Sequence, residues 1–382
     1  MEYMIYLDNA ATTHPKPESV YVALDNANRN LAINSGRGSY RIAREATKLI
    51  DETKSKIMNL VNAPNGSCVV FTPSITIALN EILNGITWSN GSNVYVSPYE
   101  HNAVARTINL IAKKKNINVI ELPVVKETLE IDLESMKYMF AKNQPLCVCC
   151  THISNVTGYI LPVENIFEIA KQYRAITVLD TAQSMGLIEI DSKKMNADFI
   201  AFAGHKSLYG PFGIGGFIDI GNIPLNEFIV GGTGSDSLNL DMPSRLPDKY
   251  ESSSPNIVAI AGLKAALEEY NPADIFAKEK ELTKYLVKRL SAIEDVTLYI
   301  PPEDKHIGVV SFNLKNYKAE DLGMILDTDF NIAVRTGYHC APYIHKLLKD
   351  DENTGTVRVG LGRFNTRKDV DALTAAIEEL NE

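Results

Sequence analysis

Ala175-Ile-Thr-Val-Leu-Asp180 and Asp198-Phe-Ile-Ala-Phe-Ala203 are short apolar runs that each end against polar residues. Thr181-Ala-Gln-Ser184 follows the first, and Gly204-His-Lys206 the second. Runs of this length, bounded by small and polar residues, read as buried strands. The same texture continues outward. Strands are expected at 69–71, 94–96, 116–122 and 146–151, and helical spacing at 74–83, 103–114, 133–141 and 163–173. Short apolar strands separated by helices predict an α/β architecture with a mostly parallel sheet covered on both faces. Beyond Pro255 the alternation stops. Helices at 257–269, 279–293 and 368–380 mix with strands at 296–300, 309–314 and 332–334, as in a smaller α+β unit. The expected division is a large domain over 15–255 and a small one built from 1–14 and 256–382.

The chain has 382 residues, 45% of them hydrophobic and 22% charged, enough to bury one large core and a second smaller one. A formal net charge of −9 gives no electrostatic footprint for nucleic acid. No apolar run reaches the roughly 20 residues needed to span a bilayer, and the first eight residues lack the basic start and apolar stretch of a signal peptide. The expectation is a cytoplasmic protein. Five cysteines suggest no disulfide framework. Cys147, Cys149 and Cys150 fall in one apolar run without a second cluster to complete a metal site, so they read as small hydrophobes in a buried strand.

Ligands in open α/β sheets bind beyond the carboxyl ends of the strands, and that is where the polar residues gather. Asp180 ends one strand, and His205 and Lys206 follow another. Asn155 follows 146–151, His101 follows 94–96, and Ser74-Ile-Thr76 opens a helix after 69–71. Singly each has a bland reading: a strand-end Asp usually caps or turns, and a free cysteine such as Cys340 usually packs. Together they supply what pyridoxal phosphate requires. A lysine forms the Schiff base, a carboxylate faces the pyridine nitrogen, a flat ring stacks on the cofactor, and a helix N-terminus takes the phosphate. An arginine would fork onto an amino acid carboxylate. Two rival motifs fail: His205 stands where a P-loop needs glycine, and Gly213-Ile-Gly-Gly216 lacks the dinucleotide spacing.

Gly204-His-Lys-Ser-Leu-Tyr-Gly-Pro211 resembles the aminotransferase class V family, fold type I of the pyridoxal-phosphate enzymes. So do Tyr6-Leu-Asp-Asn-Ala-Ala-Thr-Thr13, Tyr99-Glu-His-Asn102, Ser154-Asn-Val-Thr-Gly158 and Asp180-Thr-Ala-Gln183. Arg335-Thr-Gly-Tyr-His-Cys-Ala-Pro342, close to Gly355-Thr-Val-Arg358, resembles the cysteine desulfurase and selenocysteine lyase branch of group II type. Gly231-Gly-Thr-Gly-Ser-Asp236 and Gly362-Arg-Phe-Asn-Thr366 look like a subgroup of that branch.

The resemblance implies a role for each matching residue. Lys206 would carry the cofactor and move the substrate α-proton. Asp180 would pair with the ring nitrogen, His101 would stack on the ring, and Gln183 would contact its phenolic oxygen. Asn155 would orient ring and substrate. Ile75, Thr76 and His205 would hold the phosphate, and Arg358 would grip the substrate carboxylate. Cys340 would take sulfur as a persulfide. The implied reaction converts L-cysteine, or L-selenocysteine in a variant of the same chemistry, to alanine. An aminotransferase, epimerase or kynureninase-like reaction without Cys340 is the alternative. A homodimer and a sulfur-acceptor protein are the implied partners. Two departures stand out: Ala203 replaces a family hydroxyl, and Ser252-Ser-Ser254-Pro255 replaces the partner-subunit phosphate motif, with Ser254 offering the hydroxyl.

Overall fold

Strand Pro145–Thr151 shows how the larger sheet is buried. Cys147 and Cys149 point to one core while Val148 and Cys150 point to another, and all four are fully buried. This is the period-two alternation of a strand covered on both faces, and it places the cysteine cluster as packing. The computed structural model describes residues 4–35, 38, 40–234 and 238–382. The last two residues of Gly231–Asp236 fall outside those described.

Seven strands form this sheet, in the order Cys68–Thr72, Gly215–Asp219, Phe199–Ala203, Ile176–Asp180, Pro145–Thr151, Asn93–Val96, Asn118–Glu121. All neighbours are parallel except those of Gly215–Asp219, which runs against both its partners. The carboxyl ends of the other six therefore share one edge. A second sheet of four antiparallel strands joins Arg335–Gly337, Thr356–Gly360, Val309–Leu314 and Val296–Tyr299. Ile5–Tyr6 pairs in parallel with Ile332–Ala333. Leu7, Val310, Phe312, Val357 and Val359 build a separate core there with Leu373 and Ile377 of helix Arg367–Asn381. Among the described residues no helix is long and apolar enough to cross a membrane.

Most expected elements are present within a few residues. The strand expected over 116–122 begins at Asn118, because Asn116 takes a left-handed conformation (φ 51°) that ends the preceding helix. The helix expected from 279 begins at Pro272, whose fixed φ suits a first turn. Ile257–Glu268 buries Ala259, Ile260 and Leu263 in a core shared with the large sheet.

Strand Gly215–Asp219 was not expected, because glycine is a poor strand former. The packing explains it. A Cβ on Gly216 would lie 2.2 Å from the Val70 carbonyl oxygen and 2.9 Å from the Phe202 ring. On Gly215 it would lie 2.8 Å from the Ile75 amide nitrogen. The glycines let two strands and a helix start approach closely. Gly216→Ala is therefore expected to lower stability by about 1–3 kcal/mol, the usual cost of overpacking. An unchanged denaturation midpoint would show that the sheet yields without cost.

Candidate active site

Burial and hydrogen bonding at the shared strand edge fix the site one side chain at a time. Asp180 closes its strand and is almost fully buried; its Oδ1 accepts the Ala182 amide at 2.8 Å. Burial pushes this carboxyl up, while the Ala182 amide and the Lys206 charge pull it down. Lys206 sits in the turn after Phe199–Ala203, within electrostatic range of Asp180, Arg358, Arg335 and Cys340. Burial leads in bringing its amine down to about 8; the two arginines lower it further, and Asp180 and Cys340 oppose them.

His101 caps helix Asn102–Lys115, its Nδ1 accepting the Ala103 amide at 3.0 Å. Its ring is brought down to about 3, first by burial and then by Lys206 and the arginines, so it stays neutral with its proton on Nε2. Just before it, the fully buried Glu100 accepts hydrogen bonds from Ser97 and the Thr151 amide on one oxygen, while the other has no partner. Burial raises this acid to about 8, with the Asp180 charge adding to the effect. Gln183 donates to the Ala10 carbonyl at 2.7 Å.

Helix Ile75–Gly85 starts against Gly215, whose strand partner is Ala203. Its first turn therefore lies beside the Lys206 turn, presenting the amides of Ile75 and Thr76. Ala203 brings no hydroxyl here. His205 stacks on Phe212, with ring centroids 4.6 Å apart, and its Nδ1 lies 3.2 Å from the Thr12 hydroxyl. Burial holds this ring down at about 4. Ser254 is not brought into the cluster: it is exposed, and its hydroxyl makes no hydrogen bond among the described residues.

Cys340 comes from the smaller sheet's side. It and His339 both adopt left-handed backbone, φ 58° and 44°, which non-glycine residues avoid unless held there. Three bonds hold them: the Asn102 amide donates to the Cys340 carbonyl at 2.7 Å, the Asn155 side-chain amide donates to the His339 carbonyl at 2.7 Å, and the His339 ring meets Thr356. Arg335 Nη2 lies 3.5 Å from Cys340 Sγ. Arg358 is 1% exposed. It donates to Asp8 Oδ1 at 2.6 Å and to the Asn155 carbonyl at 3.1 Å, and its Nε has no partner. Among the described residues no group of three His, Cys, Asp or Glu side chains is placed to hold a metal.

The model of the aminotransferase class-V family matches residues 5–373. The chain belongs to that family. Its relatives include a probable cysteine desulfurase of Halalkalibacterium halodurans, 34% identical over 99% of this chain and 93% of that one. Another, from Pyrococcus abyssi, is 33% identical over 99% and 94%. Among solved structures, the apo cysteine desulfurase of Thermococcus onnurineus superposes with a TM-score of 0.91 at 31% identity, covering 99% of this chain and 94% of that one. A cysteine desulfurase of Escherichia coli gives 0.86 at 26%, covering 98% and 94%. The fold is the family's fold type I, an α/β architecture with a mostly parallel central sheet.

Sequence reasoning gave no role to Asp8, Glu100 or Lys16, although Asp8 and Glu100 lie inside quoted class-V motifs. Lys16 donates to the Thr13 hydroxyl and to the His205 carbonyl, both at 2.7 Å, beneath the turn that carries Lys206. A charged residue directly beside a motif histidine was the available signal for Glu100. The lowered Lys206 amine has a measurable consequence. About half of it is neutral at pH 8, against under about 1% for an ordinary lysine. In protein free of cofactor, peptide-mapped labelling of Lys206 by an amine reagent is expected to rise with a midpoint near pH 8. A midpoint above pH 10 would contradict the geometry around it.

Proposed function

We propose that this chain is a pyridoxal-phosphate-dependent cysteine desulfurase that converts L-cysteine to L-alanine and leaves the sulfur on Cys340 as a persulfide. The single observation that carries the reading is the Cys340 turn. A cysteine in strained backbone is pinned from both sheets, faces Arg335, and lies within electrostatic range of Lys206. Transamination has no use for such a sulfur. The class-V family and the full-length cysteine desulfurase relatives support the same conclusion.

The residues present fit the cofactor. They offer a lysine of lowered basicity, a buried carboxyl, a neutral imidazole and an open helix N-terminus on one strand edge. Pyridoxal 5′-phosphate, when bound, supplies an aldehyde and an electron-withdrawing ring. Lys206 would hold it covalently, Asp180 would meet the ring nitrogen, and Gln183 and Asn155 would orient the ring. Ile75, Thr76 and His205 would take the phosphate. His101, neutral and oriented by its cap, would lie along the ring face.

Arg358 would receive the substrate carboxylate on the guanidinium edge whose Nε is unpaired. Lys206, partly neutral at physiological pH, takes the α-proton and returns it. The Cys340 sulfur attacks the substrate sulfur, so one S–S bond forms as the substrate C–S bond breaks. The electron pair left on carbon is protonated, and alanine departs. The exposed Ser254, with its unused hydroxyl, fits a role across a homodimer in the partner's phosphate site.

Product analysis separates this reaction from its rivals. With L-cysteine and a reductant, the wild type is expected to give alanine and sulfide in equal amounts. Cys340→Ser should lose more than about a hundredfold of both, as expected when a nucleophile is removed. A keto acid product, or full activity in Cys340→Ser, would return the chain to transamination or another class-V reaction.

A further inference from the structure

An open space lies beside Cys340. This cavity of about 520 Å³ is lined by Arg106, Arg335, Tyr338, Cys340, Lys346 and Asp351 among others, and by none of Lys206, Asp180, Asn155 or Arg358. The cysteine thus lines this open space while lying within electrostatic range of Lys206. The volume suits a small molecule.

Its charges are unequal. The Arg106 side chain is exposed and makes no hydrogen bond or ion pair among the described residues. Among the described residues the Arg335 side chain makes one hydrogen-bond contact, with the Cys340 sulfur. Lys346 is 4.0 Å from Glu121, and Asp351 is the one acidic residue of the lining. Two guanidiniums without carboxylate partners therefore line the same space as the thiol, Arg335 in contact with it. A guanidinium fork matches the two oxygens of a carboxylate, as it does those of a phosphate, in bidentate fashion. Tyr338, 47% exposed, offers an apolar wall beside them.

We infer that this outer pocket is the acceptor subsite, and that it takes a low-molecular-weight thiol bearing a carboxylate. The inference rests on reading Cys340 as the sulfur carrier. The chemistry balances without any outside oxidant or reductant. The acceptor thiolate attacks the outer sulfur of the Cys340 persulfide, and a new S–S bond forms on the acceptor. The bond between Cys340 Sγ and that sulfur breaks, and Cys340 leaves as thiolate. The acceptor departs as its own persulfide anion, so two negative charges enter the step and two leave it. Arg106 and Arg335 hold the acceptor's carboxylate while its sulfur reaches Cys340.

Alkylation of Cys340 tests the subsite independently of any enzymatic turnover. Iodoacetate carries the carboxylate and iodoacetamide does not, and peptide mapping separates Cys340 from Cys68. Relative to a free thiol, the holoenzyme is expected to favour iodoacetate at Cys340. That preference should fall about 2- to 5-fold in Arg106→Ala, the range for a solvent-exposed charge contact, and further in Arg106→Glu. Equal preference in all three proteins overturns the inference. In the second arm, persulfide-loaded enzyme is presented with mercaptoacetate or 2-mercaptoethanol at equal thiolate concentration. Faster transfer to mercaptoacetate that is lost in Arg106→Ala supports the subsite, and no charge preference overturns it. Should L-cysteine load no sulfur on Cys340, the desulfurase reading fails, while the alkylation ratio still decides whether an anion is bound there.

Discussion

A buried guanidinium ties this site together. Arg358 lies on a strand of the smaller sheet, yet it bonds Asp8 in the segment after the first strand and the carbonyl of Asn155 beyond a strand of the larger one. A charge that is 1% exposed is costly unless paired and hydrogen-bonded. Removing one partner of such a pair typically costs about 3–5 kcal/mol. Three segments distant in sequence are thus obliged to meet at one place. The obligation is incomplete by design of the packing: Nε has no partner, so the same group that organises the fold can still accept a ligand.

Asn155 carries the constraint onward. Its carbonyl meets Arg358, and its side-chain amide holds the His339 carbonyl, one residue before Cys340. The Asn102 amide holds Cys340 itself from the helix that His101 caps. Two adjacent left-handed residues would relax if left alone, at about 1–3 kcal/mol each. Here the larger sheet's loops pin them. Cys340 is consequently placed by the same residues that would orient the cofactor ring and the substrate, which couples its position to their presence. Burial acts in parallel on the titrating groups. It holds His101 and His205 neutral, brings Lys206 down to about 8, lifts Glu100 to about 8 and pushes Asp180 up as well.

Much of this was legible in the sequence, for a definite reason. The strands of the larger sheet are apolar on both faces and end sharply in polar residues, so Asp180, Lys206, Asn155 and His101 marked both the sheet and the edge where its carboxyl ends gather. What escaped was whatever depended on contacts between distant segments. Strand Gly215–Asp219 is written in glycines because its neighbours leave no room for a Cβ, a fact visible only once Val70 and Phe202 are in place. Strand Thr356–Gly360 and helix Ala319–Phe330 carry their pattern against a second core whose other walls come from the N-terminus and the last helix. Asp8 became meaningful only beside Arg358, 350 residues away. Arg335 was near Cys340 in sequence, but a 3.5 Å approach needed the turn.

The most direct measurement of the central claim is the intact mass of the cofactor-loaded protein after exposure to L-cysteine without reductant, in wild type and in Cys340→Ser. One added sulfur on the wild type alone is the predicted result. Sulfur on neither protein, or equally on both, would contradict the assignment of Cys340 as the residue that receives it.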